Sequence, residues 1–417
     1  MAGSEQVTSA GGDGRTRPRR AVRRERTRVG IVGAGPAGLA LARMLALGGV
    51  DTVVIEIRER GVIEATQRAG VLEQHSVRLL EELGLAADVA RDGRRHGGFG
   101  IRTGGATHRI DLEGLVGASV WLYPQNLVVA ALAEVHSGSG GDVRWAVSDV
   151  EVDVKAPSVS FTEPDGTRVE LSCDLLVGAD GSQSLVRHSL PRGVGEGFFI
   201  EYPFAWFALL VMTPPSAPEI LYTQSARGFT LLSQRDATLQ RSYFQCDPAE
   251  DPRDWSDDRI WAEMQARAAG PDGFTVKEGP IVEKSVLPFR SYVHQPLRHG
   301  SVVLAGDAGH TVPPTGAKGL NLAFADVALL GPAILDWASG DTRGLDAYSD
   351  TALDHVWQVQ SFSYRMTTLL HTRADATPFE VRRNAAELRG MLASRAGRQY
   401  LAEGFAGVAS ADRAERL

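Results

Sequence analysis

The sequence predicts a mixed α/β (α+β) protein in which a mostly parallel sheet carries a ligand site, beside a β-rich second domain and C-terminal helices. Three apolar, strand-like runs predict the parallel sheet, because each ends in a turn containing glycine or aspartate, near residues 33, 180 and 307. Open parallel sheets bind ligands at the carboxyl ends of their strands. The three turns are therefore expected to lie along that edge of the sheet.

The first turn has the pattern of a dinucleotide site. A strand-like run leads into Gly-Ala-Gly-Pro-Ala-Gly at 33–38, then into a helical stretch and a second strand that ends at Glu56. Gly33 permits the tight turn, Gly35 lets the backbone approach a pyrophosphate, and Gly38 lets helix and strand pack closely. A carboxylate at Glu56 can accept the hydroxyls of an adenosine ribose. The cofactor-binding residues predicted here are Gly33, Gly35, Ala37, Gly38 and Glu56.

The second turn adds an aspartate at the same edge, and the third adds features that suit an anion. Residues 173–181 form a buried strand that ends in Asp180-Gly181. Residues 306–321, Gly-Asp-Ala-Gly-His-Thr-Val-Pro-Pro-Thr-Gly-Ala-Lys-Gly-Leu-Asn, join an apolar strand to an apolar-periodic helix. The double proline stiffens this loop, and the helix start offers free N–H groups and a partial positive charge. Arg68, in a separate segment, is either a cation placed to meet a pyrophosphate or a surface arginine.

Composition argues against several classes of function. With 43% hydrophobic and 23% charged residues, the chain is typical of a soluble globular protein. Its net charge of −7 argues against a nucleic-acid-binding surface. The two cysteines, Cys173 and Cys246, lack ligand-like spacing, so neither a metal site nor a disulfide framework is expected, and a cytoplasmic location fits.

The arginine-rich residues 1–26 are predicted to form a disordered tail. With the apolar stretch 29–50 that follows, they superficially resemble a twin-arginine export signal. That stretch is better explained by the strand and helix of the dinucleotide pattern. Arg43 also interrupts it, so a membrane span is not expected.

Further motifs carry a family resemblance. They are Arg-Ala-Gly-Val-Leu-Glu-Gln at 68–74, Tyr222 with Arg-Gly-Phe at 227–229, Ser-Gln-Arg at 233–235, Trp-Ser-Asp at 255–257 and Pro-Pro-Thr-Gly-Ala-Lys-Gly-Leu-Asn at 313–321. From about residue 29 to about residue 407, the chain resembles the para-hydroxybenzoate hydroxylase family of single-component FAD-dependent aromatic monooxygenases.

The resemblance implies a domain plan and a reaction. A Rossmann-like FAD-binding domain would span 27–199 and 296–340, with a β-rich substrate domain over 200–295 and a helical region over 341–417. FAD would be the cofactor, NADPH or NADH the electron donor and O2 the co-substrate. The substrate would be a small aromatic carboxylic acid of the 4-hydroxybenzoate type, hydroxylated on its ring by a flavin C4a-hydroperoxide. A homodimer is compatible with the resemblance, and no nucleic-acid or membrane partner is expected.

The resemblance also implies roles for single residues at the cofactor. Glu56 would hold the ribose, and Asp307 would bind the ribityl chain. The other residues placed at the cofactor are Arg68 and Gln125 near the pyrophosphate and ribityl region, Asp180 at the second turn, Leu320 and Asn321 facing the flavin ring, Arg241 controlling flavin position, and Arg290 at the nicotinamide.

A second set of residues is implied at the substrate. Ser233, Arg235 and Tyr243 would bind the carboxylate, since a planar guanidinium with hydroxyl partners suits that group. Ser233 and Arg235 are two residues apart and so share one face of a strand. Tyr222 would hydrogen-bond the phenol and accept its proton, because a phenolate ring reacts more readily. Three residues complete the set: Pro314 and Thr315 near the ring edge, and His96 at the outer end of a proton relay.

Phe405 departs from the family pattern. In the family, a second tyrosine within a C-terminal Tyr-Val-Gly completes the proton relay, whereas this chain reads Phe-Ala-Gly at 405–407. Phenylalanine has no hydroxyl to pass a proton. Either the relay runs through water and His96, or the substrate ring carries another electron-donating group and needs less help. A 3-substituted analogue such as 3-amino-4-hydroxybenzoate, in an antibiotic or other secondary-metabolite pathway, is therefore the alternative substrate.

Other choices stay open. Arg58 and Arg60 could meet the 2′-phosphate of NADPH, whereas Glu59 would repel it, so the sequence does not decide between NADH and NADPH. A flavin reductase without an aromatic substrate is a second reading, which the predicted carboxylate-binding residues oppose. A non-catalytic nucleotide-binding regulator is a third, which the loop at 313–321 opposes.

Overall fold

The computed structural model describes residues 22–66 and 70–407. The strands in chain order are β1 (Arg23–Val32), β2 (Thr52–Ile55), β3 (Val71–Leu72), β4 (Arg94–His96), β5 (Gly98–Thr103), β6 (Ala106–Asp111), β7 (Val120–Leu122), β8 (Asp142–Arg144), β9 (Ser148–Asp153), β10 (Ser158–Thr162), β11 (Arg168–Gly178), β12 (Glu196–Met212), β13 (Leu221–Ser225), β14 (Gly228–Gln234), β15 (Leu239–Cys246), β16 (Ile281–Gln295), β17 (Arg298–His299), β18 (Val302–Leu304) and β19 (His310–Thr311).

The α-helices are α1 (Pro36–Leu47), α2 (Arg60–Ala65), α3 (Gln74–Leu80), α4 (Ala86–Asp92), α5 (Leu112–Val116), α6 (Gln125–Gly138), α7 (Leu185–His188), α8 (Asp257–Ala268), α9 (Gly319–Ala338), α10 (Arg343–Leu370), α11 (Pro378–Ala393) and α12 (Arg395–Ala406). One turn of π-helix, Glu81–Leu85, joins α3 to α4. Short 3-10 turns cover Gly306–Ala308 and Pro314–Gly316, inside the third motif.

The first sheet is mostly parallel, as predicted. Its order is β17-β18-β11-β1-β2-β8, with β9 and β10 forming an antiparallel extension on β11. β1 pairs in parallel with both β2 and β11, and β11 pairs in parallel with β18. Because these strands run in one direction, the turns after β1, β11 and β18 meet at one edge. The three predicted motifs are therefore brought together by the sheet itself.

The tail prediction is partly wrong. Most of residues 1–26 lie outside the described ranges, but Arg23 to Arg26 form the start of β1 and pair with β11. Acidic side chains hold this arginine-rich strand: Arg24 bonds Glu170 at 3.0 Å, and Arg26 bonds Asp174. Residues 23–26 therefore belong to the sheet.

The second sheet is the predicted β-rich domain. Its order is β19-β16-β12-β15-β14-β13-β5-β6, and all its pairings are antiparallel except that of β5 with β13. β5 and β6 lie within 98–111, inside the range 27–199 predicted for the cofactor domain. β12 begins at Glu196, before the start predicted for the β-rich domain at residue 200. The two domains are thus interleaved along the chain more than the predicted boundaries imply. A small third sheet has the order β3-β7-β4, and its strands lie between β2 and β8 in sequence, interleaved with β5 and β6.

The helices divide the core into layers. Apolar residues of α1, α6 and α9 pack with the first sheet. The C-terminal helices α10 to α12 cover one face of the second sheet, and α8 covers the other. Within its described part, the predicted helical region over 341–417 forms α10, α11 and α12.

Helix α9 is long and apolar enough to cross a membrane by length and composition. It packs against α1 and α10, and most of its central residues are buried. Its apolar surface is therefore covered inside the protein. Among the described residues, no other helix has the length and hydropathy of a membrane span.

Candidate active site

A cleft of about 510 Å³ lies along the carboxyl edge of the first sheet. It runs between the turns after β1, β2, β11 and β18 and the first residues of α1, α6 and α9. Predicted cofactor residues that line it are Gly33, Gly35, Ala37, Glu56, Gln125, Asp180, Asp307 and Leu320. Residues distant in sequence are thus assembled into one site. The predicted contact of Arg68 lies outside the described residues.

The three glycines of the first motif have different environments. A Cβ on Gly33, whose φ is +107°, would lie 2.3 Å from the carbonyl oxygen of Ala179. A Cβ on Gly38 would lie 1.9 Å from the carbonyl oxygen of Gly33, so this residue serves packing and does not line the cleft. Gly35 lines the cleft, and a Cβ there would meet no heavy atom within 4 Å. Only Gly35 leaves open space for a ligand.

Glu56 is buried at the end of β2 and is held on both carboxylate oxygens. Oε2 accepts the backbone N–H of Ala34 at 3.0 Å, and Oε1 accepts the backbone N–H and the Nε–H of Arg58 at 3.0 and 3.1 Å. These bonds fix the carboxylate at the wall of the cleft. Oε2 retains acceptor capacity for a ligand hydroxyl, since a carboxylate has about four acceptor sites and these bonds use three of them.

The second and third motifs are joined by a residue that sequence analysis missed. Arg187 of α7 donates from Nη1 to the carbonyl of Ala308 at 2.6 Å and from Nη2 to the carbonyl of Ser182 at 2.8 Å. Asp180 accepts the backbone N–H of Val186 at 3.1 Å, and burial raises the pKa of its carboxyl. The signal for Arg187 in the sequence is only an arginine soon after Asp180-Gly181, and it does not indicate the partner at Ala308.

The side chain of Asn321, a residue predicted to face a flavin ring, does not line the cleft. Its Oδ1 accepts from the backbone N–H of Glu73 and the hydroxyl of Ser76, each at 2.8 Å, and its Nδ2 donates to the carbonyl of Val71 at 2.8 Å. The side chain of Asn321 therefore ties α9 to α3, and only the backbone N–H groups at the helix start remain available to an anion.

Two buried ion pairs support the third motif. Lys318, just before α9, pairs with Glu73 and donates to the carbonyl of Phe405 at 3.0 Å. His310 Nε2 lies 2.7 Å from Asp326, whose Oδ2 also accepts the backbone N–H of Gly306 at 2.6 Å. Although burial opposes its charge, Asp326 raises the pKa of His310. Both pairs hold the loop at 306–321 from behind the cleft.

Arg290 lies at the rim of the cleft. It is exposed on β16, and its Nη2 donates to Ser182, which lines the cleft, at 2.8 Å. It does not itself line the cleft. An exposed cation beside the opening suits a second, reversibly bound phosphate-bearing molecule.

The cleft fits a dinucleotide. The N-termini of α1, α6 and α9 border it, and helix N-termini attract phosphate groups. Gly35 leaves room for a close approach, and Glu56 Oε2 offers an acceptor to a ribose. These groups therefore match the pyrophosphate and one ribose of a dinucleotide.

A second pocket forms in the β-rich domain around the predicted carboxylate-binding residues. β14 and β15 are antiparallel, with Ser233 opposite Arg241 and Leu231 opposite Tyr243, so the predicted residues share one face. The lining residues are Gly70, Leu122, Tyr123, Pro124, Ser233, Gln234, Arg235, Arg241 and Tyr243. Its volume of about 10 Å³ is room for a single water molecule.

Arg241 lies in this pocket, whereas the sequence placed it at the cofactor. Arg235 Nη2 and Arg241 Nε are buried without a hydrogen-bond partner among the described residues. Arg241 is only loosely paired with Glu283, at 3.4 Å. Burial, with Arg241 nearby, lowers the pKa of Arg235. Two buried guanidinium groups with unused donors make the pocket strongly attractive to an anion.

Tyr222 is buried beside Phe99 and Phe405 and donates its hydroxyl to the carbonyl of Thr315 at 3.1 Å. Burial raises the pKa of the phenol. The structure thus brings together Tyr222 and Thr315, but neither lines the small pocket, and Pro314 is exposed.

Phe405 stands beside Tyr222, as its placement in the family pattern requires. The two rings meet at 88° with centroids 6.1 Å apart, and Phe405 stacks on Phe99 at 4.2 Å. An apolar ring therefore occupies the position next to the buried phenol.

His96 is buried on β4, beside the side chain of Gln234. Burial lowers the pKa of the imidazole, and Nδ1 has no hydrogen-bond partner among the described residues. Gln234 lines the small pocket, so His96 lies one side chain behind that pocket.

The described residues hold no cluster of three or more His, Cys, Asp and Glu side chains that could hold a metal ion. Both cysteines are free thiols; Cys173 is buried and Cys246 is half-buried.

Comparison with known proteins agrees with this geometry. The family model described as FAD binding domain matches residues 26–363. The p-hydroxybenzoate hydroxylase of Acinetobacter baylyi is 39% identical over 387 residues, covering 92% of this chain and 96% of that protein. Aklavinone 12-hydroxylase DnrF of Streptomyces peucetius is 28% identical over 76% of this chain and 70% of its own length. The structure of p-nitrophenol 4-monooxygenase PnpA from Pseudomonas putida matches with a TM-score of 0.77 at 20% identity, covering 92% of this chain and 99% of that chain, which shows a shared fold.

Proposed function

Since this chain belongs to the FAD-dependent aromatic hydroxylases, in the family of p-hydroxybenzoate hydroxylase, we propose that it hydroxylates the ring of a 4-hydroxybenzoate-type acid at the expense of NAD(P)H and O2. The observation that carries the substrate class is the pocket that holds Arg235, Arg241, Ser233 and Tyr243. A carboxylate placed there gains charge-assisted hydrogen bonds and neutralises buried positive charge.

The other end of the substrate would meet the aromatic cluster. In this proposal, the acid enters with its carboxylate on Arg235 and its ring toward Tyr222 and Thr315. The Tyr222 hydroxyl, which now donates to Thr315, would turn to the substrate phenol and help remove its proton. His96 lies behind Gln234 and would pass that proton outward through water.

Bound FAD would supply the activation of O2 with electrons from NAD(P)H. The residues of the cleft would hold it: Glu56 at the ribose, Gly35 and Gln125 along the pyrophosphate, and Asp307 and Leu320 nearer the flavin. Arg290 at the rim would hold the nicotinamide donor transiently. NADH and NADPH both remain candidates, since Arg58, which could meet a 2′-phosphate, bonds Glu56.

The second candidate substrate is 3-amino-4-hydroxybenzoate or another 3-substituted analogue. The observation that favours it is Phe405 beside Tyr222, because this ring offers no second hydroxyl for a proton relay. A ring with an added electron-donating group needs less proton removal before hydroxylation. This proposal places the reaction in antibiotic or other secondary-metabolite biosynthesis. We further propose a cytoplasmic enzyme that forms a homodimer.

The purified flavoprotein tests the proposal. NADH and NADPH oxidation would be measured with and without a panel of 4-hydroxybenzoates, and products identified by mass spectrometry and NMR. A hydroxylase oxidises the donor faster when its acid is present and yields a product one oxygen heavier. A flavin reductase would not respond to the acid, and a nucleotide-binding regulator would not oxidise the donor.

A further inference from the structure

His371 ends the long helix α10 inside a box of aromatic rings. Its imidazole is buried and stacks between Phe204 and Phe229, with centroids 4.7 and 4.3 Å away. The indole of Trp206 lies at its edge. This ring is not part of the pocket that the substrate proposal uses.

The hydrogen bonds of His371 define its protonation. Nδ1 lies 2.9 Å from the carbonyl oxygen of Thr367, which can only accept, so Nδ1 carries the proton. Nε2 accepts the indole N–H of Trp206 at 2.8 Å, and that group can only donate. The imidazole is therefore neutral. Burial lowers its pKa to about 3, and the guanidinium of Arg267 on α8 acts in the same direction.

Two routes lead from this imidazole to the proposed substrate site. On one side, Thr367 donates its hydroxyl to Thr315 Oγ1 at 3.0 Å, and the carbonyl of Thr315 accepts the Tyr222 hydroxyl at 3.1 Å. On the other side, Trp206 packs on Tyr243 with centroids 4.7 Å apart. His371 thus joins the helix that holds Thr315 to the strand layer that carries Tyr243.

We infer that His371 is a positioning residue: as a neutral imidazole with both nitrogens bonded, it sets the end of α10, and through Thr367 it fixes Thr315 and the hydroxyl of Tyr222 relative to the carboxylate pocket. This inference rests on the proposed function for the identity of the acid. No other side chain of similar shape offers a donor and an acceptor at opposite ring nitrogens, so the arrangement requires histidine.

Comparing the binding of two acids separates a loss of positioning from a general loss of stability. 4-Hydroxybenzoate engages both the carboxylate pocket and the region of Tyr222, whereas benzoate engages the carboxylate pocket alone. With the FAD-loaded enzyme, Thr367→Val is expected to weaken 4-hydroxybenzoate about fivefold, the effect of one hydrogen bond, and to leave benzoate unchanged. His371→Phe, which keeps the ring stack, is expected to show the same preference more strongly. Thr368→Val, the same change one residue along the helix, is the matched control and should affect neither acid.

Equal weakening of the two acids by Thr367→Val, or no weakening of either, would overturn the inference while leaving the proposed function intact. Failure of the wild-type enzyme to bind either acid would instead overturn the proposed function. A measurement without substrate tests the inference even if neither acid binds or if His371→Phe does not fold. In the wild-type protein with ¹⁵N-labelled histidine, NMR should show His371 neutral and protonated on Nδ1 from about pH 5 to about pH 8, the range in which an ordinary histidine titrates. Titration of His371 within that range would contradict the inference.

Discussion

The rings of Tyr222 and Phe405 meet at 88° with their centroids 6.1 Å apart, so the buried phenol faces an apolar ring. The hydroxyl of Tyr222 has the carbonyl of Thr315 as its partner at 3.1 Å. Phe405 is itself held by its stack on Phe99 and by the bond from Lys318 to its carbonyl. The ring beside the buried phenol is therefore apolar and is held on two sides.

Phe405→Tyr is expected to move the substrate preference toward plain 4-hydroxybenzoate. The added hydroxyl would lie near Tyr222 and restore a second proton-passing group. The ratio of kcat/KM for 4-hydroxybenzoate to that for 3-amino-4-hydroxybenzoate should rise about tenfold, a small part of what proton transfer can contribute. Product formation with each acid measures this ratio, and an unchanged ranking of the two acids would show that position 405 does not select the substrate.

Substitution of the three motif glycines is expected to separate folding from cofactor binding. Gly35→Ala should leave the melting temperature of the apoprotein unchanged, because its Cβ meets no heavy atom within 4 Å, yet lower FAD affinity about tenfold or more by obstructing the pyrophosphate. Gly33→Ala and Gly38→Ala should destabilise the apoprotein itself, since each Cβ would clash with a backbone oxygen. Thermal unfolding and the FAD content of purified protein give the two readouts. A Gly35→Ala variant that retains full FAD affinity would contradict the placement of the pyrophosphate.

Arg235→Ala is expected to weaken the aromatic acid by about 10- to 100-fold, since a charge-assisted hydrogen bond contributes about 1.5–3 kcal/mol. Arg235→Lys should recover part of the affinity, because it keeps the charge but not the planar fork. Spectral titration of the bound flavin with the acid measures the dissociation constant. The exposed Arg253→Ala serves as the control. If the amide of the same acid loses as much affinity as the acid, the guanidinium does not read the carboxylate.

His136→Leu is expected to stabilise the protein, and more so at pH 5 than at pH 8. His136 is fully buried in α6, and neither ring nitrogen has a partner among the described residues, so removing the ring should gain about 1–3 kcal/mol. Burial lowers the pKa of this histidine. Below about pH 6.5, His136 therefore binds a proton in the unfolded chain but not in the folded protein. As a result, this histidine lowers the free energy of unfolding as the pH falls.

Denaturant unfolding of wild type and His136→Leu at both pH values tests this expectation. The exposed His188→Leu is the matched control and should show no pH-dependent difference. A His136→Leu variant whose advantage is the same at both pH values would mean that His136 is protonated in the folded protein.

Alternation along strands made the carboxylate pocket predictable. Ser233 and Arg235 share a face because side chains two apart on a strand do so, and Tyr243 reaches that face from the next strand. The cofactor cleft was predictable for a similar reason, because strand ends of a parallel sheet meet at one edge. In both cases a pattern within one strand, the alternation of its side chains or the position of its end, predicts where a residue lies in the fold.

The features that the sequence does not predict depend on contacts with residues distant along the chain. Nothing near Asn321 in the sequence indicates that Val71 and Ser76 take up its amide. Arg24 reads as part of a charged tail until Glu170, far along the chain, pairs with it. Likewise β5 joins the second sheet through its pairing with β13, a contact between segments more than a hundred residues apart. The spacing of residues predicts whether a segment is a helix or a strand, but it does not predict which distant residues contact that segment.

The space among Arg235, Arg241 and Tyr243 has room for about one water molecule. The proposed aromatic acid needs more room than this, so its binding would require the segment at Leu122 to Pro124 and the hairpin of β14 and β15 to draw apart. Diffusion of the acid to the protein and its entry into the pocket are then separate steps. The observed association rate should rise with acid concentration and level off at the frequency of that opening, well below the diffusion limit. If the proposed acid binds at this pocket, the small space among its two guanidinium groups would make a motion of the protein, and not the supply of substrate, limit the rate of binding at high acid concentration.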